Sequence, residues 1–222
     1  MYCVDRRELV PDPSLNWISE EEAIATLKNN PSQRIYSNSE NALIWIDTYF
    51  AESEWSKQIN ILKDKAKFRE QMKDLFPEFK FQKIRLEDIQ GIPAEDLSFP
   101  FVIKPSIGFL SIGVHVINDE KDWIKAKEEI RPQNLKSIFP KNVLDASYFL
   151  VEDFIQGEEF AIDYYHNDKG EVVILNILHH LFSSGTDTSD RVYLTSKAII
   201  NQYESEFEQF LSTIGNKLHL KN

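Results

Sequence analysis

Tyr148-Phe-Leu-Val-Glu-Asp-Phe-Ile155 is a nearly continuous apolar run, the pattern of a strand covered on both faces at the middle of a sheet. Gly157 breaks it. Beyond the break, Phe160 to Tyr165 and Val172 to Leu178 flank Asn167-Asp-Lys-Gly170, a turn composition that predicts an antiparallel hairpin. Upstream, the charged stretch Asp119 to Ile130 predicts a helix, and Val114-His-Val-Ile117 a strand. Phe99-Pro-Phe-Val-Ile-Lys-Pro105 reads as a further strand bounded by prolines. Helices and strands thus mix around the central run, which predicts an α/β (α+β) fold.

Further from that centre, Phe79-Lys-Phe-Gln-Lys-Ile84 alternates as a strand does. Ile59, Leu62, Phe68, Met72 and Leu75 recur at helical intervals until Pro77, with a break expected near Asp64. Ser19 ahead of Glu20, Glu21 and Glu22 is a helix start, so a helix is expected over Glu20 to Asn29. Arg34-Ile-Tyr-Ser37 reads as a short strand. Asn38 or Ser39 would then cap a helix with the apolar face Leu43, Ile44, Trp45, Ile46 and Tyr49, completing half of a parallel layer. Val192 to Leu194 suits a short strand, and Ile199 to Leu218 a final amphipathic helix.

A hydrophobic fraction of 42%, with 15 Phe, 8 Tyr and 4 Trp, supplies enough apolar surface for a globular fold. The 36 Asp and Glu residues outnumber 25 Lys and Arg, for a net charge of -11 that repels a polyphosphate backbone, so nucleic acid is not an expected partner. A small nucleotide remains compatible, since a few lysines, Mg²⁺ and backbone N–H groups can reverse the potential within one cleft. Cys3 is the single cysteine, read as a buried thiol in a reducing, cytoplasmic setting without disulfides. Asp5, Arg6, Arg7 and Glu8 interrupt any N-terminal apolar run, and no stretch approaches the ~18 apolar residues that span a bilayer, so neither a signal peptide nor a membrane partner is expected.

Gly108-Phe-Leu-Ser-Ile-Gly113 has the glycine spacing of a phosphate loop, but Val114 stands where a Walker motif requires Lys. Dinucleotide, zinc-protease and nucleophile-elbow motifs are absent too. One constellation remains: Lys104 at a strand end, a Gly/Ser loop after it, Glu152 in the apolar strand, and Glu159 seven residues on. A lysine beside a loop of backbone donors suits phosphate oxygens, and a carboxylate after a strand break suits ribose hydroxyls. By residue statistics alone the same residues fit better a lysine snorkelling from an edge strand and solvated glutamates. His179 and His180, ahead of the loop Phe182 to Arg191, could approach substrate but read rather as polar surface at a strand end; Arg191 could hold a substrate carboxylate or phosphate but reads rather as one half of a surface ion pair with Asp187 or Asp190, and His115 as a structural strand residue.

Four segments in order resemble the ATP-grasp superfamily. Leu62-Lys-Asp-Lys65 with Phe68-Arg-Glu-Gln-Met72 is similar to the family's Asp-Lys at a helix start, whose lysine reaches ATP phosphates; Lys65 is the match. Phe101-Val-Ile-Lys-Pro105 resembles the strand whose lysine binds the α/β-phosphates, with Lys104 in that place. Gly108 to Val114 is similar to the loop that closes over the phosphates, best matched at Ser111 and Gly113, although Phe109 and Leu110 replace small residues and leave a lipophilic lid as another reading. Phe149-Leu-Val-Glu-Asp-Phe-Ile155 and Gly157-Glu-Glu-Phe160 resemble the interlobe strand that contacts adenine through its backbone and the glutamate that takes the ribose. Glu152, Ile155 and Glu159 fall on those positions.

The resemblance implies two small α/β lobes clamping ATP with Mg²⁺, preceded by a partial β/α unit. The boundaries it suggests are 1–60 for that unit and 61–146 and 147–222 for the lobes. It implies an ATP-dependent carboxylate-amine ligase working through an acyl phosphate, with small-molecule carboxylate and amine substrates. The family's metal-binding carboxylates lie on strands after the last helix, so this chain is expected to lack them and to be inactive alone. A non-catalytic nucleotide-binding or scaffold module is the alternative, and an interaction domain without nucleotide a third reading.

Overall fold

The computed structural model describes residues 2–3, 14–37, 39–108, 111–131, 145–183 and 191–220. The chain divides into two compact units, Met1–Ala51 and Glu52–Asn222. In the first, β1 (Tyr2–Cys3) and β2 (Asn16–Trp17) pair in parallel, followed by α1 (Glu20–Asn29) and α2 (Glu40–Tyr49). A reciprocal capping box starts α1: the Glu22 N–H donates to the Ser19 hydroxyl at 3.1 Å, and the Ser19 N–H donates to the Glu22 carboxylate at 2.9 Å. Ala23, Leu27 and Ile46 are the buried apolar side chains of these helices.

The strand expected at Arg34 to Ser37 does not form: these residues join no ladder, and Tyr36 is 90% exposed. Strand propensity expresses packing on a neighbour, and the local pattern could not supply that neighbour. Ser39 occupies the N-cap of α2 without a side-chain cap bond, while Asn38 and the Cys3 side chain lie outside the described residues.

The second unit opens with α3 (Glu54–Lys63) and α4 (Lys65–Met72), interrupted at Asp64. A four-stranded sheet follows in the order β3-β6-β4-β5, from β3 (Phe81–Arg85), β4 (Phe101–Ile107), β5 (His115–Ile117) and β6 (Asp145–Asp153). All its pairings are antiparallel, and the apolar run occupies the inner strand β6. Facing partners Ile84 and Phe149, and Phe101 and Ile117, put one side of the sheet into a core with Ile103 and with Trp123 and Ala126 of α5 (Glu120–Glu129). Alternation sends Val102, Lys104, Leu150 and Glu152 to the opposite face, where Arg69 of α4 meets Glu152.

A second antiparallel sheet has the order β7-β8-β9, from β7 (Glu159–His166), β8 (Val172–His180) and β9 (Tyr193–Leu194). The predicted turn joins β7 to β8: Asn167 accepts the N–H groups of Lys169 and Glu171, each at 2.9 Å, and Gly170 takes φ +80°. The final helix, α6 (Lys197–Leu218), packs on β8, and its Ile214 and Leu218 cluster with Met72. Among the described residues no helix is long and apolar enough to cross a membrane.

Two close contacts set this framework. Asp64, only 4% exposed, accepts the N–H groups of Ala66 at 3.0 Å and Lys67 at 3.3 Å, the Ser106 hydroxyl, and Lys83 Nζ at 3.0 Å. It therefore caps α4 while tying it to β3 and β4. Gly215 of α6 leaves no room for a side chain, since a Cβ there would lie 2.1 Å from Cε1 of the buried His166.

Alanine in a helix interior ordinarily gains up to about 1 kcal/mol over glycine, whereas overpacking costs about 1–3 kcal/mol. Gly215→Ala is therefore expected to lower the urea midpoint, and adding His166→Ala should recover part of that loss. Burial raises the Asp64 pKa, but the hydrogen bonds from Ser106 and Lys83 outweigh it and hold the carboxyl below its ordinary value. The folded state then binds fewer protons, so Asp64 adds stability above the unfolded value and loses it as pH falls through the lower folded one. Asp64→Asn should unfold at lower urea than the parent at neutral pH, with the difference shrinking below about pH 4.

Candidate functional site

Lys65 is the first residue of α4, placed there by the Asp64 cap, and its Nζ donates to the Gly108 carbonyl at 2.8 Å. The helix start is thus tied to the chain leaving β4. On the α4-facing side of β4, Lys104 Nζ lies 2.5 Å from Oε1 of Glu152. Arg69 grips the same carboxylate as a fork, with Nε 2.7 Å from Oε2 and Nη2 3.3 Å from Oε1. Burial pushes the Glu152 pKa up, yet the Arg69 hydrogen bond and the Lys104 charge prevail and hold it below its ordinary value. Around Glu152 itself two cations face one carboxylate, and Lys65 lines the same cleft, whose lining also carries Asp153, Glu158 and Glu159.

Ser111 (φ +56°) and Gly113 (φ +71°) both take left-handed backbone, and the Val114 N–H donates to the Ser111 carbonyl at 3.2 Å to close a turn. A Cβ at Gly113 would meet Pro105 at 3.1 Å, so this turn packs tightly on the end of β4. Phe109 and Leu110, the expected lid residues, lie outside the described residues.

Glu152 pairs with Phe81 on one side and Val102 on the other, so its backbone lies inside the ladder and its side chain alone faces the cleft. Ile155, just past the end of β6, is 65% exposed. Glu159 opens β7, with its carboxylate 2.9 Å from Nδ1 of His180. A cleft of about 1210 Å³ is lined by Lys65, Lys104, Ser111, Glu152, Ile155 and Glu159. Gly113 is not part of that lining and contributes the turn instead.

Two further cleft residues, Arg69 and His180, were not assigned from sequence. His180 departs from its expected surface position: it is 5% exposed, stacked on Tyr193 at 4.5 Å and 3.9 Å from the Phe182 ring centre. Adjacent strand residues face opposite sides, so the two histidines separate, and His179 stacks on Phe160 at 4.8 Å. That alternation was the available signal, but which side was inside depended on the later strand carrying Tyr193. His115 sits partly buried in β5, its pKa lowered by burial against the pull of Glu129, 3.7 Å away. Arg191 is exposed, and its expected partners Asp187 and Asp190 lie outside the described residues.

Lys65 and Lys104, with the left-handed turn beside them, supply donors at one part of a cleft whose lining also holds the carboxylates of Glu152, Asp153, Glu158 and Glu159, so anionic and hydroxyl-bearing groups of one ligand can both find partners. Among the described residues there is no cluster of three or more Asp, Glu, His or Cys side chains able to hold a metal ion.

Comparison with known proteins finds chains of similar fold. Biotin carboxylase from Campylobacter jejuni is similar in structure, with a TM-score of 0.63 at 13% identity over 100% of this chain and 54% of that one. An L-amino acid ligase from Bacillus licheniformis has a TM-score of 0.61 at 20% identity, over 91% and 51% respectively. N5-carboxyaminoimidazole ribonucleotide synthetase from Thermotoga maritima has a TM-score of 0.55 at 17% identity, over 99% and 55%. The chain thus spans about half the length of each. At such identities the likeness concerns the fold, and no curated protein matches the sequence. The ATP-grasp domain family matches residues 97–222, more than half of the chain, with β4, β6 and the Glu159 strand inside the match, and this protein belongs to that family.

Proposed function

We propose that this chain binds ATP in the cleft beside Lys104 and supplies the nucleotide-binding part of an ATP-dependent carboxylate-amine ligase. The observation that carries the reading is the meeting of Lys65, Lys104 and Glu159 around one cleft, although the first and last lie 94 positions apart in sequence. Lys65 and Lys104 take the phosphate end. Glu159 accepts hydrogen bonds from ribose hydroxyls, and the chain past the end of β6, at Ile155, borders the base. The division into two lobes belongs to the same proposal, and because β6 pairs with β3 and β4 as far as Asp153, the junction is placed after that residue and not at the 146/147 boundary suggested by the resemblance.

In the reaction proposed, a substrate carboxylate oxygen attacks the γ-phosphorus and ADP leaves. An amine then attacks the acyl carbon, phosphate leaves, and the amine gives up a proton. Phosphoryl transfer needs little covalent help from protein, so the two lysines act by orienting the phosphates and neutralising charge. Mg²⁺, when present with the nucleotide, supplies further charge neutralisation. The biotin carboxylase above was solved as a β,γ-ATP complex and another neighbour, a purK synthetase, as an ADP complex, which supports the nucleotide part of this reading.

Lys104→Ala removes a charge-assisted contact and should weaken ATP binding by about 1.5–3 kcal/mol in calorimetry without altering the circular dichroism spectrum. Unchanged affinity would remove Lys104 from the phosphate site. Glu159→Ala should weaken ATP while leaving tripolyphosphate, which has no ribose, nearly unaffected; equal losses for the two would put Glu159 away from the sugar. For the ligase itself, the natural full-length protein should release ADP and phosphate only when a carboxylate is added. Nucleotide binding without such release would mark a binding module.

A further inference from the structure

The proposed phosphate lysine is already engaged: Lys104 Nζ sits 2.5 Å from the carboxylate of Glu152, whose side chain is 4% exposed. A buried carboxylate that loses its only cation pays a large desolvation penalty, which would offset whatever the lysine gained on a ligand. The geometry avoids this. Lys104 contacts Oε1, and Arg69 reaches that same oxygen at 3.3 Å while holding Oε2 at 2.7 Å. Arg69 is anchored independently, with its guanidinium 4.9 Å from the centre of the Phe79 ring. When the Lys104 ammonium turns away, both oxygens of Glu152 keep a donor.

We infer that Arg69 is a positioning residue that frees Lys104 for an anionic ligand, and that Glu152 is the tether holding Lys104 until the anion arrives. Glu152 then acts through its carboxylate and competes with the ligand for Lys104. Arg69 weakens that competition by being the better, bidentate partner of the same group. The inference rests on the reading of Lys104 as a phosphate ligand. It assigns opposite effects to two residues that touch each other, which a purely structural ion pair would not produce.

The test is calorimetric titration of the 222-residue chain with tripolyphosphate and, separately, adenosine. Arg69→Gln leaves Glu152 dependent on Lys104 and should weaken tripolyphosphate about 10-fold, with adenosine changed less than about 2-fold. Glu152→Gln releases the lysine and should tighten tripolyphosphate about 3-fold or more. The double variant has no carboxylate to satisfy, so it should return to within about 3-fold of the parent. A double variant as weak as Arg69→Gln alone would make Arg69 a direct phosphate ligand and overturn the inference. So would weakening by both single variants toward both probes, the result of a structural role. If Arg69→Gln fails to fold, Arg69→Lys, which keeps the charge but not the fork, should give an intermediate loss, and an unchanged affinity there would overturn the inference. Should Lys104→Ala weaken tripolyphosphate while Arg69→Gln leaves it unchanged, this inference fails and the nucleotide reading stands. A parent chain that binds neither ATP nor tripolyphosphate refutes both.

Discussion

An ionised carboxylate in the inner strand of a sheet has to be paired, and the pairing of Glu152 organises the cleft side of this protein. Its position in β6 takes it away from water, and its strand neighbours Val102 and Phe81 offer no charge. The compensating cations come from β4 and from α4, so the ion group draws a strand and a helix together at the place where ligand chemistry is proposed. Such groups often contribute little net stability against an apolar alternative of equal volume. At this cleft the role proposed for the group is to control where Lys104 points.

The same helix is held a second time by Asp64. Because one carboxylate caps α4 and bonds Lys83 of β3 and Ser106 of β4, the orientation of the helix start and the exit from β4 are set by one group. Lys65 and Gly108 then meet as a consequence. The break in the long apolar pattern between α3 and α4 therefore sets the local geometry at Lys65, since an uninterrupted helix would carry that lysine in mid-helix, without the cap that directs it.

Much of the architecture was readable from local pattern. The capping box at Ser19, the interruption at Asp64, the β7–β8 hairpin and the inner position of β6 all depend on residues within a few positions of one another, or on a run whose composition requires cover on both faces. The strand at Arg34 to Ser37 shows the boundary of that method. Its residues suit a strand, but a ladder requires backbone partners from elsewhere in the chain.

The site divides along the same line. Sequence by itself determined the order of Lys65, Lys104, the Ser111–Gly113 loop, Glu152 and Glu159, because a family resemblance resides in residue types and spacing. It could not reveal that Glu152 is shared between Lys104 and Arg69, that Asp64 joins three elements, or that His180 turns inward onto Tyr193 beside Glu159. Those facts rest on which long-separated strands become neighbours and in what register, and a shift of one residue would send every side chain of β6 to the opposite face. Only tertiary structure decides register, because the energy that selects it is the burial of Phe149 and Ile103 in one common core while Glu152 and Lys104 remain together on the other side.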